Sequence, residues 1–156
     1  MKKLGLLFFA LAFLAFFAEA TPVRAQGSVS RGPDPAVLKD AELEKEAAHN
    51  LEVARHYFKF KKAYRAAVAR CEEIIAGYPN FTRLDEALYI AGASSLRLSE
   101  NRGKQAANLP AEKLREEARE YLSRLVNEFP ESVFRKDAEK ELLPLGGAKK
   151  PEEKKQ

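Results

Sequence analysis

The sequence predicts an all-α chain of five helices, arranged as a solenoid of stacked helix pairs about two and a half repeats long. Three observations carry that expectation. Apolar residues recur at spacings of three and four, the mark of a helix with one buried face. No stretch shows the strict alternation of a half-buried strand. The chain also repeats itself: Ala67-x3-Cys71-x2-Ile74-x3-Tyr78-Pro79 matches Ala118-x3-Leu122-x2-Leu125-x3-Phe129-Pro130. Eight residues after each proline stands another alanine, Ala87 and Ala138, at the start of a further helix.

The order of segments begins with an address. Met1-Lys2-Lys3 is a short positive start, and Leu4 to Phe17 is an apolar run of about 14 residues, short of the roughly 20 that a spanning helix needs. Ala18-Glu19-Ala20 and Val23-Arg24-Ala25 are two small-x-small exits, so residues 1–25 read as a removable export signal. Cleavage after Ala25 is preferred, with Ala20 as the alternative. Residues 26–34 (QGSVSRGPD) read as a flexible leader, residues 35–144 as the helical domain and residues 145–156 as a disordered charged tail. The 27 basic and 23 acidic residues of the whole chain fall to 24 and 22 without residues 1–25, which remove Lys2, Lys3, Arg24 and Glu19. A balance of +2 excludes a strong electrostatic case for nucleic acid.

Within the domain, Asp34-Pro35 supplies a cap and a first-turn proline, and no Gly or Pro interrupts the chain from Ala36 to about Lys61. Leu43, Ala47, Leu51, Ala54 and Phe58 form one stripe of that first helix. Ala63 to Gly77 is the second, with Ala67, Val68, Cys71, Ile74 and Ile75 on one side and Pro79 beyond its end. Thr82, followed by Asp85 and Glu86, reads as a hydroxyl cap and an acidic first turn for a third helix to about Leu98. Ser99 to Leu109 is a loop. Pro110 to Glu128 is the fourth helix, carrying Leu114, Ala118, Tyr121, Leu122 and Leu125, and Ser132 caps a fifth that stops at Pro144.

The first helices of the two copies align at a period of 37, placing Leu51, Ala54 and Phe58 against Leu88, Ala91 and Ser95. The second helices align at 51, and the difference of 14 is an insertion at the loop 99–112. A pair of antiparallel helices buries its faces only by stacking on the next pair. Small residues at Ala54, Ala67, Ala91, Gly92 and Ala118 therefore fall where axes approach within about 8–10 Å. This pattern of small, hydrophobic and proline positions resembles the tetratricopeptide repeat, with Gly92 where that family favours glycine and Arg55 at the same place in the first copy.

A narrower resemblance lies in the wording. NLEVARHYFKFKKAYRAAVARCEEIIAGYPN followed by DEALYIAGASSLRL, and then REYLSRLVNEFPESVFRKDAEKEL, resemble the outer-membrane protein assembly factor BamD family. That resemblance implies a non-enzymatic periplasmic scaffold, docking on β-barrel assembly components and handling outer-membrane protein precursors. The family is anchored by a lipidated N-terminal cysteine and usually has more repeats. Here the single cysteine is Cys71, and two and a half repeats are legible. A scaffold of the same architecture serving cell division or peptidoglycan maintenance is the alternative.

Carrying the repeat family's groove positions onto this chain gives His49, Glu52, His56, Lys59 and Phe60 in the first copy, and Glu86, Tyr89, Leu96 and Arg97 in the second. Positions 49, 52, 56 and 59 also share one helical stripe, which reads equally as a solvated face. His49 and His56 stand about 10.5 Å apart along a helix axis, too far to share one ion held at about 2 Å from each nitrogen. Cys71 falls at a core position. Asn101-Arg102-Gly103-Lys104 lacks the parts of a phosphate loop, and no Ser-His-Asp set can be nominated. The sequence thus predicts no catalytic residue, cofactor or metal, protein partners rather than nucleic acid, and membrane association only through a partner or a retained signal. Because terminal repeats need a polar cap, it also predicts either a fold-over by the first helix or a homodimer.

Overall fold

The computed structural model describes residues 35–150, and the expectations for the signal at 1–25, the leader at 26–34 and the end of the tail lie outside the described residues. Five α-helices and no strand are found there: α1 (Pro35–His56), α2 (Tyr64–Gly77), α3 (Leu84–Ser99), α4 (Ala111–Glu128) and α5 (Arg135–Leu142). Each packs on the next in order, and the first helices of successive pairs also meet, α1 with α3 and α3 with α5. This is the tetratricopeptide-like stack that the repeat predicts.

The core follows the periodicity. Leu51 and Ala54 of α1, Ala67, Cys71 and Ile74 of α2, Leu88 and Ala91 of α3, Leu122 and Leu125 of α4, and Ala138 and Leu142 of α5 form one buried cluster. Leu43, expected on the stripe of α1, is 37% exposed, because it borders an open pocket shared with Gly77, Tyr78 and Phe81 at the end of α2. Gly92 sits at the closest crossing. A Cβ there would stand 2.6 Å from Leu122 Cγ, so α3 and α4 approach only because the position is glycine.

The internal repeat extends to single hydrogen bonds. Tyr78 N–H donates to Ile74 O (2.9 Å), and Phe129 N–H, 51 residues on, donates to Leu125 O (2.9 Å). Phe81 to Tyr78 (3.0 Å) and Leu84 to Phe81 (3.2 Å) recur as Ser132 to Phe129 (3.1 Å) and Arg135 to Ser132 (3.2 Å). The cause is the proline after each aromatic, which pushes that residue out of the helical region: ψ is 64° at Tyr78 and 66° at Phe129.

The caps differ from expectation. The residue before α3 is Arg83, and the Thr82 hydroxyl donates to the Glu44 carboxylate of α1 instead of capping its own helix. Ser132 lies two residues before Phe134, the cap position of α5. Its Oγ accepts from Phe134 N–H (3.1 Å) and donates to Asp85 of α3 (2.6 Å). Both hydroxyls pin a turn to the neighbouring first helix, a use that local spacing does not reveal.

Helix α1 ends in a π-helical turn, Tyr57–Lys61, closed by Lys62 in the left-handed region (φ 51°). The loop after α3 packs on that turn. Lys104 N–H donates to Lys62 O (3.0 Å), Ala66 N–H donates to Gln105 Oε1 (3.1 Å), and Leu109 packs against the buried group Tyr64, Val68, Leu98 and Leu114. Gly103 (φ 100°) lies against Lys62 O and the Tyr64 ring where a side chain would collide. The 14-residue insertion is thus a cover for a second small core.

The start of the tail has a place as well. Arg119 donates to the carbonyl of Gly147 (2.9 Å), Asn127 to that of Lys149 (2.9 Å), and Lys149 N–H to Ser123 Oγ (2.8 Å), while the Lys149 ammonium pairs with Glu116. These α4 residues lie three and four apart on one polar stripe. Residues 146–149, which bring no core side chain, are held by hydrogen bonds and the Lys149–Glu116 ion pair, contacts that composition does not show.

Candidate functional site

The face made by α1, α3 and α5 is drawn together by two ion pairs. Arg55 of α1 binds the Glu86 carboxylate of α3 through Nε and Nη2, and Arg83 joins at 3.4 Å. Arg97 of α3 donates to Glu141 of α5 (3.2 Å) and to its own helix at Ala93 O (2.7 Å). The Arg97 guanidinium also lies 4.9 Å from the centroid of the Phe58 ring, a cation–π contact on α1. Arg97 therefore ties three first helices into one surface.

Between α3 and α5 this surface opens into a cleft of about 410 Å³. Tyr89, Leu96 and Arg97 form one wall, Asp137, Lys140, Glu141 and Pro144 the other, and Glu100 and Arg102 close one end. Tyr89 stacks on Phe134 at 5.3 Å and 19°, and its hydroxyl reaches Glu141 at 3.4 Å. Burial, with the Glu141 and Asp137 carboxylates, pushes the Tyr89 phenol up to about 12. Glu141 Oε2 is buried and has no hydrogen-bond partner among the described residues, so the carboxylate is held through Oε1, which accepts from Arg97 and Tyr89. Three cations and three carboxylates frame an apolar strip, the composition of a site for a peptide-like segment rather than for one small ion.

The structure divides the sequence-predicted residues. Tyr89, Leu96 and Arg97 line the cleft. Glu86 is buried under Arg55, so it holds α1 to α3 instead of facing a ligand. His49, Glu52, His56 and Lys59 are exposed along α1, beside the Arg55–Glu86 pair. Phe60, 73% exposed, stands at the end of the stack on the π-helical turn, away from the cleft. Sequence reasoning missed the α5 wall. The same register of 51 that relates the second helices carries Glu86 to Asp137 and Tyr89 to Lys140, and both of those residues line the cleft.

Other chemistry has little to build on. Among the described residues no three His, Cys, Asp or Glu side chains converge as a metal site needs. Cys71 is fully buried, and burial, then Glu72 and Glu86, push its thiol far above the usual range. A thiol so placed is a poor nucleophile.

A stack of helix pairs with an open cleft on the face of its first helices defines a tetratricopeptide-like scaffold, a class whose work is binding other proteins. Residues 42–109 match the family model described as YfiO: Outer membrane lipoprotein. The match spans α1 to the loop after α3, the stretch whose wording resembles the BamD family, so the likeness is to an envelope lipoprotein family. No curated protein and no solved structure matches the chain.

Proposed function

We propose that the protein is an exported, non-enzymatic helical-repeat scaffold that binds protein partners in outer-membrane protein assembly, working at the periplasmic face. The observation that carries this reading is the open cleft between α3 and α5, where Tyr89, Leu96 and Pro144 lie among charged side chains on a surface locked by Arg97. A bound segment sets an aromatic or aliphatic side chain over Leu96, Pro144 and the Tyr89–Phe134 stack. The mixed charges of Arg102, Lys140 and Asp137 fix its direction. His49, Glu52, His56 and Lys59 extend the same face along α1. Support for the setting comes from the match to an outer-membrane lipoprotein family and from the export-type start of the sequence.

Tyr89→Ala tests the reading. It removes the ring that floors the cleft while leaving the Arg97–Glu141 pair in place. Capture of β-barrel assembly components or outer-membrane protein precursors is expected to fall about tenfold or more, with the circular dichroism spectrum unchanged. Unaltered capture by a folded Tyr89→Ala variant removes the cleft from the function, and capture of division or cell-wall proteins instead moves the scaffold to that role.

A further inference from the structure

The antiparallel order of the helices brings the α1–α2 turn and the loop after α3 to the same end of the stack, and this end is cationic. Between Glu52 and Glu72 the sequence has no acidic residue. Lys59, Lys61 and Lys62 on the π-helical turn, Arg65 in the first turn of α2, and Lys104 on the loop are all exposed. None of these five takes an ion pair among the described residues, although nine pairs form elsewhere on them. The Lys104–Lys62 backbone hydrogen bond and the Gly103 contact on Tyr64 hold the two segments together, so the cations stay crowded despite mutual repulsion. The acids that flank these segments in sequence are spent or set back: Glu100 pairs with Arg102 (3.2 Å), Glu112 with Arg115 (2.9 Å), and Glu52 lies more than a turn earlier on α1. At the centre stands Phe60, 73% exposed, touching only the His56 ring at a centroid distance of 5.6 Å among the aromatic contacts found.

An exposed ring flanked on both sides by free lysines fits one kind of surface. The ring enters the boundary between headgroups and acyl chains, and the ammonium groups, on flexible apolar stems, reach the phosphates around it. An anionic bilayer also relieves the repulsion among the five cations. We propose that this end of the stack docks on an anionic phospholipid surface, with Phe60 as the inserted side chain and Lys59, Lys61, Lys62, Arg65 and Lys104 as the headgroup contacts. The patch shares Lys59 with the α1 face but no residue with the cleft, so either reading can fail without the other.

The chain contains no tryptophan, so Phe60→Trp in the full-length protein gives a single local reporter. Its emission is expected to shift to the blue with vesicles containing phosphatidylglycerol, and to be quenched by lipids brominated on their acyl chains. Phosphatidylcholine vesicles should leave it unchanged. Adding Lys59→Glu, Lys61→Glu and Lys62→Glu should weaken the lipid response about tenfold or more, and the milder glutamine set should weaken it in the same direction, each with helicity verified. Val133→Trp, at an 83% exposed site on the turn at the opposite end, should not respond. No shift with phosphatidylglycerol, an equal shift with phosphatidylcholine, or an equal shift at Val133→Trp would overturn the proposal. A shift with soluble polyglutamate but not with vesicles would assign the patch to an acidic protein segment and overturn it equally.

Discussion

Gly92 and Gly77 show how differently one residue type can act in two helices of this stack. An alanine at 92 would drive its Cβ to 2.6 Å from the branch carbon of Leu122 and 3.2 Å from the Ala118 carbonyl, neither of which is a flexible end. Overpacking of this kind costs about 1–3 kcal/mol, more than the helix propensity gained, so Gly92→Ala should lower the melting temperature. At Gly77 nothing lies within 4 Å, and Gly77→Ala should be neutral or stabilising by up to about 1 kcal/mol. Cys71 makes a second prediction: a thiol buried between α2 and α3 should resist alkylation under native conditions and react at the rate of unfolding. Rapid native labelling would contradict the packing. A third concerns alkaline pH. Tyr89 and Cys71 both titrate higher in the fold than in an unfolded chain, so their contribution is complete below pH 9. It is lost as the pH rises, with the Tyr89 share falling between 10 and about 12. Melting temperatures measured across that range should decline, and Tyr89→Phe should make the decline shallower.

The helices themselves were legible because apolar residues recur at helical spacing. Helices α2 to α5 each end where a proline or a glycine-containing loop forbids more, whereas α1 ends without either, in the π-helical turn before Lys62. All five appear within a few residues of their expected bounds, and the register of 51 between second helices survives at the level of backbone hydrogen bonds. What the sequence hid are contacts that one element makes with another far along the chain. Thr82 and Ser132 look like caps by spacing, yet Glu44 and Asp85 claim their hydroxyls. The loop at 99–112 carries no periodicity, yet its backbone and Gln105 seal the α1–α2 turn. Gly103→Ala should therefore cost about 1 kcal/mol or more, since φ there is 100° and a Cβ meets Tyr64. Hydrogen exchange would show the Lys104 amide losing protection before any amide of α3. An unchanged exchange rate at Lys104 would mean that the loop is not held by this contact.

Across the whole stack, the two ends and the face between them have different chemistry. One end is cationic and tipped by Phe60, and the face joining α1, α3 and α5 is locked by Arg55–Glu86 and Arg97–Glu141. Half of the candidate site was visible beforehand, the α3 wall with Tyr89, Leu96 and Arg97. The α5 wall was not, because its position depends on how a third first helix packs after an insertion that breaks the simple period. Arg97→Ala should act at this scale, loosening α5 from α3 through loss of the Glu141 pair and the end of α1 from α3 through loss of the Phe58 contact. A loss of about 1–3 kcal/mol in stability is expected, with the largest gain in hydrogen exchange on α5. The central claim, that the cleft takes a protein segment, is tested most directly by site-specific photo-crosslinking in the native envelope. Reactive groups would stand at Lys140 on the cleft wall and, in parallel, at Glu120, an exposed position of α4 that is not part of the cleft. The account predicts adducts with barrel-assembly components or outer-membrane precursors from Lys140 and none from Glu120. Equal labelling from both positions, or none from Lys140, would contradict it.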